Sequence, residues 1–392
     1  MIAWFRYICL IVSLIITMPE LLSAQRLVSQ RQEDVEAGLL YNESVYILSN
    51  YSCLSSNSPE KLSLDELLRK QIEGFYFYLK RDTETNVLLL RKPDGTFTPF
   101  SESLEAIKTA LDADSTKVMT LFLDFYVETE LESSFKEIGL MEYVLEYDTK
   151  NGWPSLKDML SSGKRLVVFE VQKHLNSPSW LHNMRDFVEH TDADWGNQPE
   201  GVESFDERLK KNLSLFTGYK FLETSRGNSN DISALARQTP YLIESFKRAW
   251  IRDGRVPNFI LVDKYYAWLD VSLVTFRNFD IIYGAVTNNN ELLNYVNWDG
   301  MSNYTTGKYC FPLEPGAELM LSPISPGYRI EPATVYVSGT QRKAFASDFK
   351  ARPLRIDEDI EIYLPFEGDE KDGSSNHNLT VSRNVEFIQD PI

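Results

Sequence analysis

Between Ser44 and Ala285 the chain alternates short apolar or β-branched runs with stretches whose apolar residues recur every three to four positions. Runs of the first kind suit strands buried on both faces and stretches of the second kind suit amphipathic helices, which is the pattern of βα units around a parallel sheet. The predicted strands cover residues 44–49, 74–80, 118–125, 165–171, 215–222, 258–265 and 279–285. These are seven runs, where a complete (β/α)8 barrel needs eight. Helix signals fall between them: Ser63-Leu64-Asp65-Glu66 is a capping box, and Leu64, Leu67, Leu68 and Ile72 share one face. Leu104, Ile107 and Leu111 repeat that spacing, and a further helix is predicted to start at Pro154 and to stop at Gly163.

After Asn297 the texture changes. Pro312, Pro315, Pro323, Pro326 and Pro332 punctuate short strands at residues 318–322, 333–338, 360–365 and 384–389, with no helical periodicity and a polar loop at 367–378. The other end differs again: Arg6, the apolar run from Tyr7 to Met18, and Leu22-Ser23-Ala24 before Gln25 form a signal-peptide pattern, with an uncleaved anchor as the alternative. That apolar run is too short to span a bilayer and no later one approaches about 18 residues, so no transmembrane segment is expected in the mature chain. The expected domains are a signal peptide at 1–24, a barrel at 25–297 and a β-rich module at 298–392.

The 392 residues carry 40 Lys and Arg against 57 Asp and Glu, a formal charge of −17, which argues against a nucleic-acid partner. Once Cys9 leaves with the signal, Cys53 and Cys310 remain, either as a disulfide in an oxidising compartment or as two buried thiols. Sequons at Asn42, Asn50, Asn212, Asn303 and Asn378 matter only in a host that glycosylates.

Gln71-Ile72-Glu73-Gly74-Phe75 is similar to a Gln-Leu-x-x-Gly strand start, and Pro154-Ser155-Leu156-Lys157-Asp158-Met159-Leu160 precedes the strand Lys164-Arg165-Leu166-Val167-Val168-Phe169. Arg226-Gly227-Asn228 opens a helical stretch that ends in Pro257-Asn258-Phe259-Ile260-Leu261-Val262-Asp263-Lys264-Tyr265-Tyr266. In this order the segments resemble the phosphatidylinositol-specific phospholipase C X-domain family in its secreted bacterial branch, from about Ser44 to Val286. The resemblance implies an irregular TIM-type barrel and a phosphoric diester hydrolase. It also implies two histidines, one to deprotonate a neighbouring hydroxyl and one to protonate the leaving oxygen.

Neither histidine is found where the resemblance puts it. The first turn reads Ser49-Asn50-Tyr51-Ser52, with Asn50 in the histidine position, and the second reads Leu90-Arg91-Lys92-Pro93-Asp94-Gly95, with Arg91 there. An amide has no proton to exchange near neutrality and a guanidinium stays charged, so neither serves as a general base. The acidic pair on strand two, which holds calcium in some relatives, falls near Leu79 and Arg81, so no calcium site is expected and no cofactor either. His174, His182 and His190 are the alternative acid/base residues, or plain surface histidines. Arg81 and Lys92 with Arg91 are candidates for holding a phosphate. Glu170, Asp124 and Asp263 are barrel-mouth carboxylates, candidates for a cation or polar head group or else plain structural hydrogen-bond partners, and Tyr265 is a candidate to stack on a sugar ring or sit in a lipid interface, with core or rim packing as the alternative.

The fold expected from these readings is α/β, an irregular TIM-type (β/α) barrel of phospholipase C-like phosphodiesterase type followed by a small β-rich C-terminal domain. The expected function is a secreted, periplasmic or cell-surface pseudoenzyme that binds a phosphorylated or polyol-like ligand or a lipid head group, with the C-terminal module as a second interaction surface. The competing expectation is an active phosphoric diester hydrolase with rearranged acid/base residues. A third is a structural surface protein whose pocket is filled by Tyr51, Phe75 or Tyr76.

Overall fold

The computed structural model describes residues 31–53, 63–69, 72–125, 131–147, 150–172, 177–191, 215–218, 247, 250–251, 254, 256–262, 277–301, 304–339 and 341–355. The first strands are β1 (Tyr46–Ser49), β2 (Gly74–Arg81), β3 (Leu88–Arg91), β4 (Phe97–Pro99), β5 (Met119–Asp124) and β6 (Leu166–Glu170). They are followed by β7 (Leu181–Asn183), β8 (Val188–Thr191), β9 (Leu215–Gly218), β10 (Phe259–Val262) and β11 (Asp280–Asn288). The chain continues with β12 (Glu291–Leu292), β13 (Val296–Trp298), β14 (Tyr304–Thr305), β15 (Lys308–Leu313) and β16 (Glu318–Leu321). The last are β17 (Pro323–Ile324), β18 (Tyr328–Glu331), β19 (Val335–Ser338) and β20 (Lys343–Pro353).

The first sheet runs β7-β6-β5-β2-β1-β10-β9-β8, and every neighbouring pair on that path is parallel. Both ends of the path lie on one stretch of chain, where β7 and β8 flank the short helix Met184–Phe187. Parallel neighbours need a crossover of a dozen or more residues, so this link cannot return the chain to pair β7 with β8. The 181–191 stretch instead bonds to β6 with its first part and to β9 with its second. Between β2 and helix Phe100–Ala113, β3 and β4 add an antiparallel excursion on β2.

The local rules of helix formation hold. Ser63 and Glu66 form a reciprocal cap, the Glu66 amide donating to Ser63 Oγ at 3.3 Å and the Ser63 amide to Glu66 Oε2 at 2.7 Å. Helix Leu156–Ser162 is capped by Ser155 and stops at Gly163, whose φ is +73°. Gly74 lets β2 approach β5: a Cβ there would sit 2.2 Å from the Thr120 carbonyl oxygen.

One predicted strand belongs elsewhere. Residues 279–285, expected to end the parallel series, overlap β11, which pairs antiparallel with β15 and parallel with β20. An apolar run of that length reads the same in either kind of sheet, and its partners lie far along the chain. The C-terminal sheets therefore begin near residue 280, and β13 spans the 297/298 boundary drawn from composition. Their core packs around Trp298, whose ring lies 4.8 Å from Tyr309 and 5.0 Å from Phe311. Cys310 is a buried free thiol that receives the Trp250 indole N–H at 3.0 Å, and burial pushes it up to about 12.

Candidate functional site

Parallel register fixes which side chains share a face, because partners across a ladder point the same way and neighbours along a strand point oppositely. Tyr46 pairs with Phe259, Tyr76 with Phe122 and Phe122 with Phe169, which sets an inner layer of rings. Phe122 lies 5.1 Å from Phe169 and 5.3 Å from Phe259, and Tyr46 lies 5.8 Å from Phe259. Beyond that layer, toward the C-terminal ends of the strands, the same face carries Tyr78 and Asp124, which pair in register. Asn50, the residue after β1, falls in line with Tyr46 and Leu48 and is buried. The phenol of Tyr76 donates to Asp124 Oδ2 at 2.8 Å, and Asp124 Oδ1 is buried with no hydrogen-bond partner among the described residues.

The two positions assigned to histidines are drawn together through the backbone. Ser52 Oγ donates to the Arg91 carbonyl at 3.0 Å and accepts the Tyr78 amide at 2.8 Å, so one hydroxyl ties the turn after β1 to β2 and β3. Their side chains diverge. Leu90 is buried and its neighbour Arg91 is exposed, paired in register with Phe97. Arg81 and Lys92 are half-buried on the same excursion, Arg81 opposite Leu88 and Lys92 closing a turn by donating its amide to the Thr96 carbonyl at 2.7 Å. The basic residues therefore line an excursion beside the C-terminal end of β2, with Arg91 turned to solvent.

Glu170 pairs with Leu123, and Asp124 pairs with Tyr78, so Glu170 and Asp124 lie on opposite faces of the sheet. Glu170 is buried there and accepts from Ser177 Oγ at 2.5 Å and from Asn183 Nδ2 at 3.4 Å. His182 is inside the fold. Its ring lies 5.7 Å from Trp153, 5.8 Å from Phe169 and 5.6 Å from Phe187, and its Nε2–H donates to the Leu145 carbonyl at 3.2 Å. Leu145 is bonded to Leu166, the first residue of β6, while His182 itself pairs in register with Phe169, one residue before the end of that strand. Burial holds the imidazole below its usual range. The backbone of His190 pairs with Thr217, while His174, Asp263 and Tyr265 lie outside the described residues.

Tyr51 and Phe75 pack away from the face that carries Tyr76 and Asp124. They meet Phe77 on the outer face, with ring distances of 5.9 Å from Tyr51 and 5.3 Å from Phe75 to Phe77, and Phe77 meets Phe100 of the covering helix at 5.9 Å. Sequence reasoning missed the Tyr76–Asp124 pair, although the alternation of Phe75, Phe77 and Leu79 with Tyr76, Tyr78 and Lys80 signals a strand with one polar-tipped face. Among the described residues, no three His, Cys, Asp or Glu side chains converge to hold a metal ion.

No curated protein matches the chain. Among solved structures, the chain is similar to phosphatidylinositol-specific phospholipase C from Listeria monocytogenes, at TM-score 0.39 and 13% identity over 62% of this chain and 98% of that one. It is also similar to the Staphylococcus aureus enzyme of that name, at TM-score 0.38 and 14% identity over 62% of this chain and 94% of that one. The family model described as PI-PLC X 1 matches residues 90–199, a narrower stretch than the motifs span. That stretch holds the 154–169 helix and strand, and over it the chain is similar to a PI-PLC X domain.

Proposed function

We propose that this chain is an exported phospholipase C-like barrel that binds a polyol or phosphorylated polyol at the C-terminal ends of its parallel strands without cleaving a phosphodiester. The barrel reading is supported by a strand path that begins and ends on the 181–191 stretch. The binding reading rests on one observation, the shared face at the ends of β1, β2 and β5 that presents Asn50, Tyr76, Tyr78 and Asp124. A carboxylate with one oxygen held by a phenol offers its other oxygen to a hydroxyl, which is how a polyol is gripped. The amide of Asn50 exchanges no proton near neutrality and Arg91 is turned to solvent, so among the described residues this face supplies acceptors and donors but no acid/base pair. Arg81 and Lys92, beside it, suit a phosphate on the same ligand. No helix among the described residues is long and apolar enough to cross a membrane.

Calorimetric titration with myo-inositol and with myo-inositol 1-phosphate tests the reading. Binding is expected for the wild type, weakened at least about tenfold by Asp124→Asn or Tyr76→Phe, the loss of one charged hydrogen bond in each case. Equal affinity in all three proteins places the ligand elsewhere and overturns the assignment.

A further inference from the structure

At the opposite ends of the strands, five charged side chains are buried together: Arg31, Asp34, Glu73, Arg277 and Arg342. Burying charge is costly unless each group is paired, so such a cluster needs a structural reason. The pairing runs as a chain. Arg277 Nη2 lies 3.0 Å from Glu73 Oε1, and the same carboxylate oxygen meets Arg31 Nη2 in a very short contact. Arg31 Nη1 lies 3.5 Å from Asp34 Oδ2, and Arg342 Nε donates to Asp34 Oδ1 at 2.6 Å. Arg342 also donates to the Phe279 carbonyl, and Glu73 Oε2 receives the Ile47 amide at 3.3 Å.

The positions of these residues in the fold give the cluster its meaning. Glu73 immediately precedes β2, near the centre of the parallel sheet. Arg342 immediately precedes β20, while Arg277 and Phe279 lie just before β11, and β11 and β20 are paired neighbours within the C-terminal sheet. Arg31 and Asp34 belong to the single helical stretch 31–36, and one turn of it reaches both sides: Arg31 to Glu73, Asp34 to Arg342. Without that turn, Arg342 would lose its carboxylate partner, and Glu73 would keep only Arg277 from this cluster.

We propose that the turn from Arg31 to Asp34 is an intramolecular strap that fastens the C-terminal sheet to the base of the parallel sheet, so that helix 31–36 and strand β20 are released in one opening event. A second, weaker link runs beside it, from Lys343 Nζ to Glu43 Oε1 at 2.6 Å, where both side chains are about a quarter exposed. Any trimming of the chain past Asp34 removes the strap and leaves the Arg277–Glu73 and Lys343–Glu43 pairs, with the apolar contacts of Phe279 and Ile281, as the remaining links between the two sheets.

Native-state hydrogen exchange on the wild-type chain from Gln25, followed at increasing sub-denaturing urea, reads this directly. The strap predicts that amides of residues 31–36 and 343–350 converge on one opening equilibrium with the same urea dependence, below that of β5 and β6. Asp34→Asn should raise that joint opening on the order of a hundredfold, since it leaves a buried guanidinium unpaired, and leave β5 and β6 protection unchanged. Lys343→Gln, on the partly exposed link, should change it less than about fivefold. If helix 31–36 exchanges in the wild type without any change at 343–350, or if Asp34→Asn loosens the helix alone, the strap does not exist. A variant that fails to fold leaves the wild-type comparison to decide.

Discussion

His182 is the one histidine whose side chain is described, and its environment makes a prediction that separates a core residue from a displaced acid/base group. Replacing it by Phe keeps the aromatic contacts with Trp153, Phe169 and Phe187 and removes the hydrogen bond to the Leu145 carbonyl. At pH 7.5 the lost bond costs about 1 kcal/mol, partly offset by the added apolar surface. The pH dependence is the sharper signal. Burial lowers the folded-state value of His182, so below the unfolded value of about 6.5 the unfolded chain binds more protons than the native one. The contribution of His182 is therefore fully present above about pH 6.5 and is lost as pH falls from there toward the folded value, at no more than about 1.4 kcal/mol per pH unit. Between pH 6.5 and 5 the loss is at most about 2 kcal/mol. Urea denaturation of wild type and His182→Phe at several pH values from 5 to 7.5 isolates this term, because the carboxylates common to both cancel in the difference. The variant should gain on the wild type as pH falls. A flat difference, or a wild type that gains at low pH, would show an imidazole that is solvated or paired with a carboxylate, and would return His182 to the list of acid/base candidates.

Two further substitutions probe the frame that holds the site. Gly74→Ala drives a methyl group to within 2.2 Å of the Thr120 carbonyl oxygen, so β2 and β5 must separate at the start of the strands that carry Tyr76 and Asp124; the expected loss is at least about 3 kcal/mol by chemical denaturation. Arg165→Met removes a guanidinium that donates to the carbonyls of Asp114 at 2.6 Å, Lys117 at 3.1 Å and Leu111 at 2.9 Å, closing the end of helix Phe100–Ala113. Leaving those carbonyls without their charged donor should cost about 3 kcal/mol, and a loss under about 1 kcal/mol would mean that water replaces it.

The parts of this fold that sequence made legible are those set by neighbouring residues. The Ser63–Glu66 box, the Gly163 stop, and the Leu104, Ile107 and Leu111 face all read correctly because their partners lie within one or two turns, while the helix start expected at Pro154 falls instead at Leu156, behind the Ser155 cap. The parallel series read correctly for the six runs that became β1, β2, β5, β6, β9 and β10. What failed depends on distant pairing. Residues 279–285 went to the C-terminal sheet because β15 and β20 claim them. The β3–β4 excursion is signalled by Pro93-Asp94-Gly95, a turn between two apolar runs, whereas the resemblance places that turn at the second histidine position. That difference puts Arg91 on an exposed strand end instead of in the mouth. At the site, Glu170 and Asp124 look equivalent as strand-end carboxylates, and only register separates them by placing them on opposite faces. Tyr76 and Asp124 are 48 residues apart, and nothing local joins them.

The most direct test is hydrolysis of a chromogenic inositol-phosphate diester and of phosphatidylinositol by the chain from Gln25, with and without calcium, alongside Asn50→His and the Asn50→His/Arg91→His double variant. The proposed function predicts no turnover above the uncatalysed background for the wild type in either condition. Because Arg91 faces solvent, it also predicts that the double variant gains nothing over Asn50→His. Wild-type turnover at roughly 1 s⁻¹ or faster, the range of ordinary enzymes, would contradict it and show that this fold still carries a working acid/base pair.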